Sequence, residues 1–268
     1  MSDPLEESED TKRPSPARMY DYLLGGYYNF AADRQAAEQM ISLVPNMRIM
    51  AQTNRAFLQR ATTFLVEQGI EQFLDLGSGI PTVGNVHEVV QRLNPTAHVV
   101  YVDVDPIAVA QSKAILGSNP TTAIIQMDMR NLDGILSQPD AARLLDLSKP
   151  LGVLLVSVLQ FIPGDNEAST LVHRLRDRVV PGSYLALSHP TSEGIPQVIL
   201  EEGRKVYARS THPAMLRSRA QIEALFAGFD LIEPGVVYPP LWRPIDADDL
   251  AVNHPEQSQF FVGIGRLP

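Results

Sequence analysis

Between residues 71 and 189 the hydrophobic positions form five short runs, separated by stretches in which they recur every three or four residues. Runs of this length that are rich in Val, Ile and Leu are typical of buried parallel strands, and the intervening periodicity is typical of amphipathic helices. Strands alternating with helices predict a doubly wound α/β sheet with right-handed crossovers. The five predicted strands cover residues 72–77, 98–103, 123–128, 151–158 and 183–189.

After residue 189 the alternation changes. Helical patterns near 195–209 and 218–227 are followed by two further apolar runs, 230–237 and 259–266, which predict a hairpin-like pair of strands. Added to the five parallel strands, this pair gives a mostly parallel, seven-stranded, Rossmann-like sheet. The second helix has Ser218 and Gln221 at the spacing of a capping box.

The N-terminal part follows a different pattern. Residues 1–16 are polar and contain three prolines, which predicts a disordered lead-in. From residue 17 to residue 70 the pattern is helical, with breaks at Gly25-Gly26 and Pro45 and with Asp33 as a helix cap. The sequence therefore predicts a tail (1–16), an N-terminal helical cap (17–70) and an α/β domain (71–268).

Composition excludes several classes of protein. The net charge is −9, and Lys and Arg form no stripe, which argues against a nucleic-acid partner. No apolar stretch reaches the ~18 residues that a membrane-spanning helix needs. The chain has no cysteine, and its six histidines lack the spacing of a helical metal site, so no metal is expected. We expect a cytoplasmic protein of undefined oligomeric state.

The strongest local signal is the sequence FLDLGSGIP at 73–81. A strand ends near Asp75 and opens into the turn Gly77-Ser78-Gly79, at the strand edge where open α/β sheets bind ligands. A turn without a ligand is the alternative. In a GxGxxG dinucleotide fingerprint the third glycine would stand at Thr82, so NAD is disfavoured.

Two further predicted strands end in acids. Asp103 can accept hydrogen bonds from two ribose hydroxyls, and Asp128 can accept the amino group of an adenine; either could instead be an ordinary acid at a strand end. Asp105 precedes Pro106 and is typical of a helix cap. Three acids around a turn with few glycines favour a cationic nucleoside without phosphate, such as S-adenosylmethionine.

The segments FLDLGSG, VVYVDVDP, QMDM and LLVSVLQF resemble motifs of the class I S-adenosylmethionine-dependent methyltransferases. The segments ARMYDYLLGGYYNFAADRQAAE, PNMRIMAQTNRAFLQRA and GSYLALSHP are similar to one bacterial family of S-adenosyl methyltransferases whose substrate is undefined. That resemblance extends from Pro14 to the C-terminus. It implies this enzyme activity and this cofactor.

The resemblance also implies roles for individual residues. The methionine part of the cofactor would contact Asp75, Gly77, Ser78 and Gly79; the ribose, Asp103; the adenine, Val104, Asp128 and Met129; and the sulfonium side, Ser157, Val158 and Leu159. Tyr20 and Tyr22 would cover the pocket as part of a lid. At two positions the chain departs from the family pattern that we expect, with Val104 in place of Asn and Gln160 in place of His.

The methyl acceptor is expected to be a small molecule with an oxygen, nitrogen or carbon nucleophile. A general base is needed only if the acceptor must lose a proton, and His189 and Asp165 are the candidates, although both could be structural. A non-catalytic S-adenosylmethionine-binding protein is one alternative, because Gln160 supplies no base. An NAD-dependent oxidoreductase is the other.

Overall fold

The computed structural model describes residues 9–81, 84–245 and 250–268. Its strands are β1 (Gln72–Leu76), β2 (His98–Asp103), β3 (Thr122–Gln126), β4 (Gly152–Val156), β5 (Tyr184–Pro190), β6 (Asp230–Leu231) and β7 (Phe260–Arg266). They form one sheet in the order β3-β2-β1-β4-β5-β7-β6. Strands β1 to β5 are parallel, and β7 is antiparallel to both β5 and β6. The predicted seven-stranded, mostly parallel sheet is confirmed.

Helices cover both faces of the sheet. They are α1 (Glu9–Lys12), α2 (Pro16–Leu23), α3 (Ala31–Leu43), α4 (Met47–Glu67), α5 (Val86–Leu93), α6 (Pro106–Leu116), α7 (Leu132–Leu136), α8 (Pro139–Leu144), α9 (Asp165–Arg176), α10 (Gln197–Ala208) and α11 (Arg219–Ala224). The capping box at Ser218 and Gln221 is present as predicted. No described helix has the length and apolar character that crossing a bilayer requires.

Alternation along the strands divides the core between the two faces of the sheet. Leu74 and Leu76 point to one face, whereas Phe73 packs on the other face in a cluster that includes Phe57 and Phe64 of α4. This cluster means that α4 shares its hydrophobic core with the sheet. The helices α2 and α3 pack mainly on one another, on the start of α4 and on Phe260.

The prediction of a disordered tail at residues 1–16 was wrong for residues 9–16. Residues 9–12 form α1, and Arg13 donates a hydrogen bond to the carbonyl oxygen of Ser210 at 2.7 Å. Ser15 is buried and donates its N–H to Asp33 at 2.8 Å. These partners are distant in the sequence, so local composition could not show them. Residues 1–8 of the predicted tail lie outside the described residues.

Three smaller expectations need correction. Asp33 caps α3, but from the third position of the helix, which begins at Ala31; its buried carboxylate accepts the N–H of Phe30, the N-cap residue, at 2.8 Å. Strand β6 ends at Leu231 instead of continuing to 237: a turn follows in which Gly235 donates its N–H to the carbonyl oxygen of Ile232, and pairing with β7 resumes only at Val237. Strand β3 ends at Gln126, so Asp128 lies in the loop two residues beyond it.

Candidate functional site

The carboxyl ends of β1 to β4 form the floor of a cavity of about 260 Å³. Helices α2, α3, α4 and α10 contribute lining residues to this cavity. This is the sheet edge at which open α/β folds bind ligands. The cavity brings together most of the residues that the sequence singled out.

The turn after β1 has the geometry that its glycines predict. Gly77 and Gly79 have φ values of 71° and 64°, and a Cβ atom at Gly77 would lie 2.0 Å from Val158 Cγ2. The N–H groups of Gly77 and Ser78 donate to the carbonyl oxygen of Val102, at 2.8 and 3.1 Å. Since these donors are already engaged, the turn does not present them to a phosphate as a dinucleotide site would.

Thr82, on which the argument against NAD rests, lies outside the described residues.

Asp103 is held in place by the backbone around it. Its Oδ2 accepts the N–H of Gly79 at 2.7 Å, and its Oδ1 accepts the N–H of Asp105 at 2.9 Å. The side chain lines the cavity, and burial raises its pKa to about 6, although the two N–H donors oppose that rise. Each oxygen keeps a free lone pair for a ligand hydroxyl.

Asp105 is structural, as predicted, and has a second function that the sequence did not show. Its Oδ1 caps α6 by accepting the N–H groups of Ile107 and Ala108 at 2.9 and 3.2 Å. Its Oδ2 accepts hydrogen bonds from the Ser15 hydroxyl and from Arg18. Asp105 therefore fastens α2 to the edge of the sheet, beside Asp103.

Asp75 lines the cavity and is almost completely buried. Burial raises its pKa to about 7; the positive charge of Arg55 opposes this rise, and the negative charge of Asp103 adds to it. No hydrogen bond to its carboxylate is found within residues 9–81, 84–245 and 250–268. A buried carboxylate of this kind is stabilised by a cation, and a ligand ammonium would supply one.

Val104, Asp128 and Met129 border the end of the cavity that follows β2 and β3. Val104 is exposed and contributes an apolar side chain to the lining. The carboxylate of Asp128 is paired with Arg130, whose hydrogen bonds hold the pKa of Asp128 below its usual range. Asp128 is therefore ionised and partly neutralised, and it retains lone pairs for an amino group.

Ser157 and Val158 line the cavity after β4, whereas Leu159 is fully buried and does not. Ser157 has a φ of 54°, a strained conformation for a residue other than glycine. The side chain of Gln160 also lines the cavity and donates to the carbonyl oxygen of Ser157 at 2.9 Å. The inclusion of Leu159 in the site was wrong, because its side chain points into the core.

Only one of the two predicted lid tyrosines reaches the cavity. Tyr20 lines it and donates to the carbonyl oxygen of Ala51 at 3.0 Å. Tyr22 is not among the lining residues; its hydroxyl donates to Glu38 at 2.6 Å, and Arg48 covers its ring at 5.0 Å. Two residues two positions apart on a helix cannot share a face, which explains the difference.

His189 and Asp165, the predicted candidates for a general base, do not line the cavity; both bind Arg217. Nδ1 of His189 donates to the carbonyl oxygen of Pro190 at 2.8 Å, and its Nε2 accepts from Arg217 at 2.7 Å. Burial lowers the pKa of His189 to about 3. Asp165 forms an ion pair with Arg217 at 2.9 Å. Both residues are structural.

Asn54 and Arg55 are among the polar residues of the site that sequence analysis missed. Both lie on α4 and line the cavity, on the same face as Met47, Met50 and Leu58. Polar residues at the helical spacing of an apolar stripe were the signal that could have identified them.

Unpartnered polar atoms concentrate around this cavity. In the described part of the chain, eight buried side-chain nitrogen or oxygen atoms have no hydrogen-bond partner, and five of these belong to residues that line the cavity. The five residues are Asn54, Arg55, Ser78, Gln160 and Gln259. Buried polar atoms normally have partners, so their concentration here indicates a polar ligand. Together with Asp75 and Asp103, the groups of Asn54, Arg55 and Ser78 fit the amino-acid and ribose groups of S-adenosylmethionine.

The sheet order, the glycine turn and the strand-end acids define a class I S-adenosylmethionine-dependent methyltransferase. The chain belongs to the S-adenosyl methyltransferase family, whose model matches residues 2–268. It is accordingly an enzyme that uses S-adenosylmethionine as its methyl donor.

Two solved structures are similar over nearly the whole chain. A protein from Thermobifida fusca YX that is assigned as a methyltransferase is 40% identical, with a TM-score of 0.89, and the match covers 96% of each chain. A DUF574 family protein from Streptomyces avermitilis MA-4680 is 36% identical, with a TM-score of 0.90, over 97% of this chain and 99% of that one. No match was found among the curated proteins.

Proposed function

We propose that the enzyme methylates a small, predominantly apolar molecule that binds between the N-terminal helices and α10. The observation that carries this proposal is the continuity of the cavity. The same cavity extends from the polar strand ends to an apolar region that we call the acceptor chamber, formed by Met40, Val44, Met47, Met50, Ile199 and Leu200.

The acceptor chamber has the properties of a small-molecule site. Its walls come from α3, α4 and α10, and α3 approaches α10 closely where Met40 Cε would lie 3.5 Å from a Cβ atom at Gly203. Methionine side chains are flexible and polarisable, so they adapt to irregular apolar ligands. A pocket with mostly apolar walls and a few polar groups at one end is typical of small-molecule sites.

The residues at the strand ends would hold the donor. In this proposal Asp103 binds the ribose, Val104, Asp128 and Met129 border the adenine, and Ser157 and Val158 lie toward the acceptor. Bound there, S-adenosylmethionine would supply a methyl group on a sulfonium, which an acceptor lone pair would take in one displacement that leaves the S–C electron pair on sulfur.

The protein's part in this reaction is alignment. Positioning two reactants can contribute up to about 7–11 kcal/mol in favourable cases. His189 and Asp165 are both engaged by Arg217, and Gln160 is a neutral amide, so none of the three serves as a base. We therefore propose an acceptor whose nucleophilic atom carries a free lone pair at neutral pH, as an aromatic amine or a thioether does.

Charge supports a small acceptor over a nucleic acid. The net charge is −9, and arginines in and just after α9 pair with acids, as Arg174 and Arg178 do with Asp133. Phosphate contacts need unpaired cations on one surface. The cytoplasmic location and the division into a cap (17–70) and a methyltransferase domain (71–268) stay predictions.

Calorimetric titration with S-adenosylmethionine, S-adenosylhomocysteine and NAD tests the donor half of the proposal. We expect micromolar binding of the first two and none of NAD. Binding of NAD alone would contradict the proposal.

Transfer of a radiolabelled methyl group to a panel of apolar amines and thioethers tests the acceptor half. Ile199→Asp places a charge in the acceptor chamber and should abolish transfer while donor affinity is retained. Val198→Asp is the matched control, because Val198 is 61% exposed on the same helix. Equal activity of the two variants, or transfer only to charged acceptors, would contradict an apolar acceptor site. Donor binding without transfer to any acceptor would favour a non-catalytic binding protein.

A further inference from the structure

The amide of Gln160 is buried and held in one orientation. Gln160 is 6% exposed, and its side chain lines the cavity just beyond β4. Its Nε2 donates to the carbonyl oxygen and to the hydroxyl oxygen of Ser157, both at 2.9 Å. A carbonyl oxygen only accepts hydrogen bonds, so the nitrogen of the amide must be the atom that faces Ser157. The position of the other amide atom, Oε1, is thereby fixed.

The Oε1 atom of Gln160 is buried and has no hydrogen-bond partner within residues 9–81, 84–245 and 250–268. A buried acceptor without a partner is costly, and a ligand that fills the cavity would keep water away from it. An amide oxygen has no proton to give, so only a donor can satisfy it. The ligand beside Gln160 is therefore expected to carry an N–H or an O–H.

This atom lies on the acceptor side of the proposed site. Gln160 is hydrogen-bonded to Ser157, which the proposed function places toward the acceptor. Gln259 directly precedes β7 and accepts the N–H of Thr191 at the end of β5; it lines the cavity too, and its Oε1 is also buried without a partner among the described residues. The other unpartnered atoms of the cavity belong to α4 and to the glycine turn. Two acceptor oxygens thus border the cavity near the ends of β4 and β5.

Aromatic rings border the cavity next to Gln160. Phe161 lines it, and its ring centroid lies 6.4 Å from that of Tyr207, which lines the cavity from α10. His212 lines the cavity as well, with its ring centroid 6.5 Å from that of Phe161. Aromatic side chains pack favourably against other flat rings, edge to face or offset. These rings favour a planar aromatic ligand.

We propose that Gln160 determines the specificity for the acceptor, and that the acceptor is an aromatic amine whose N–H donates to Gln160 Oε1. This inference rests on the proposed function and narrows its acceptor class. A thioether has no proton to donate, so it would leave Oε1 unpaired.

Two other donors of hydrogen bonds fit less well. An aliphatic amine resembles the side chain of lysine, with a pKa of about 10.4, so at neutral pH it is an ammonium without a free lone pair. A phenol must lose its proton to become a good nucleophile, and the candidate bases His189 and Asp165 are both bound to Arg217. An aromatic amine is neutral and keeps both its N–H and its lone pair.

Transfer to such an amine needs no base of the protein. The nitrogen lone pair forms a bond to the methyl carbon while the S–C bond breaks and its electron pair goes to sulfur. The methylated nitrogen is then a cation with one proton more than the neutral product, and water takes that proton because an arylammonium is acidic at neutral pH. The hydrogen bond to Gln160 orients the nitrogen, which is a contribution to alignment.

Acceptors that differ only at the nucleophilic atom test this assignment. Aniline, the naphthylamines and the aminoacridines are each compared with their N,N-dimethyl and methylthio counterparts, with a radiolabelled methyl donor. We expect the wild-type protein to methylate amines that carry an N–H. The counterparts should stay unmethylated, because neither kind can donate to Gln160 Oε1.

Gln160→Met removes the hydrogen bond and keeps a side chain of similar length. The kcat/KM for N–H amines should fall roughly 10- to 100-fold, as when a polar group is left unpaired, while the affinity for S-adenosylhomocysteine stays within about twofold of wild type. Gln160→His should restore transfer to amines, because a neutral imidazole offers one N–H to Ser157 and one acceptor nitrogen. Gln197→Met is the matched control, since Gln197 is exposed on α10 and bonds Glu201 outside the cavity.

Equal transfer to amines and to their methylthio counterparts would overturn the assignment, and so would transfer to other acceptors but to no N–H amine. An unchanged kcat/KM in Gln160→Met would remove Gln160 from the acceptor site, and an equal loss of affinity for S-adenosylhomocysteine would assign it to the donor. Thermal unfolding shows whether each variant is folded, and the acceptor series with the wild-type protein decides independently of the variants. Failure of the proposed function is distinguishable, because the protein would then bind no donor or methylate no acceptor of any class.

Discussion

Arg217 and Arg55 both lie near the carboxyl edge of the sheet, and their surroundings differ. Arg217 is 1% exposed and donates to Asp165, to His189 and to the carbonyl oxygens of three residues. Those residues are Leu159, Ile162 and Gly164. Arg55 lines the cavity with a buried donor that has no partner among the described residues.

The difference separates residues that hold the fold from residues that are available to a ligand. Where the protein itself satisfies a buried cation, as at Arg217, the cation and its neighbours are structural. Arg18 belongs to this group too, because it pairs with Asp33 and Asp105 at 2.8 and 3.2 Å. Where a buried polar group faces a cavity unsatisfied, as at Arg55, the missing partner is expected from a ligand.

The largest effect is expected from Arg217→Met. It removes the hydrogen bonds that Arg217 donates to His189, to Asp165 and to three carbonyl oxygens, so the free energy of unfolding should fall by about 3–5 kcal/mol. Urea unfolding measures this change. Arg55→Met should change the same quantity by less than about 1 kcal/mol. An equal decrease in the free energy of unfolding in the two variants would mean that Arg55 supports the fold as much as Arg217 does.

Asp75→Asn tests how much the buried, ionised carboxylate of Asp75 lowers the free energy of unfolding. The pKa of Asp75 rises from 3.8 to about 7 on folding, so the folded state binds the proton more tightly than the unfolded state. Stability contributed by this proton is complete below pH 4, is lost as the pH rises to about 7 and is absent above it. At pH 8 the asparagine variant should therefore be more stable by about 2–4 kcal/mol. A variant less stable than the wild type at pH 8 would show that the Asp75 carboxylate stabilises the fold.

The same proton should control donor binding. The ionised carboxylate of Asp75 attracts the ammonium, so the affinity for S-adenosylhomocysteine should fall as the pH drops below 7, by up to about tenfold per unit. The carboxyl of Asp103, with a pKa of about 6, adds to the decrease at lower pH. Calorimetry between pH 5.5 and 8 measures this slope. A flat profile would mean that Asp75 contacts no cation, and Asp75→Asn should flatten the upper part of the profile.

Asp103→Ala should weaken donor binding by about 1–3 kcal/mol, the cost of losing a charged acceptor of hydrogen bonds. The loss should extend to 5′-methylthioadenosine, because that ligand keeps the ribose of the donor and lacks its amino-acid end. Unchanged affinity in this variant would remove Asp103 from the site.

The smallest effect is expected from Tyr22→Phe. Its hydroxyl bonds an exposed glutamate outside the cavity, so donor affinity should stay within about twofold of wild type. Tyr20→Phe removes the group that orients Asn54, so it should weaken S-adenosylhomocysteine more than Tyr22→Phe does. The opposite order in calorimetry would contradict the placement of these two side chains.

Much of the sheet and part of the site were predictable from local sequence. The strand-end acids Asp75 and Asp103 and the glycine turn between them occupy the predicted edge, because parallel strands bring their carboxyl ends together. Tyr22 and Leu159 were wrongly assigned to the pocket because they are neighbours in the sequence of residues that do line it. Their side chains point in other directions.

The succession of strands and helices, the turn conformations and the family can be read from the sequence alone. Period, glycine position and capping are local properties that one segment carries alone. Which polar groups are satisfied depends on how the folded chain packs. His189 and Arg217, which form a hydrogen bond, are 28 positions apart, and Ser15 and Asp105 are 90 positions apart. The lack of a partner for Arg55 Nε among the described residues likewise depends on the folded chain. Packing of the whole chain sets such contacts, so they could not be read from any single segment.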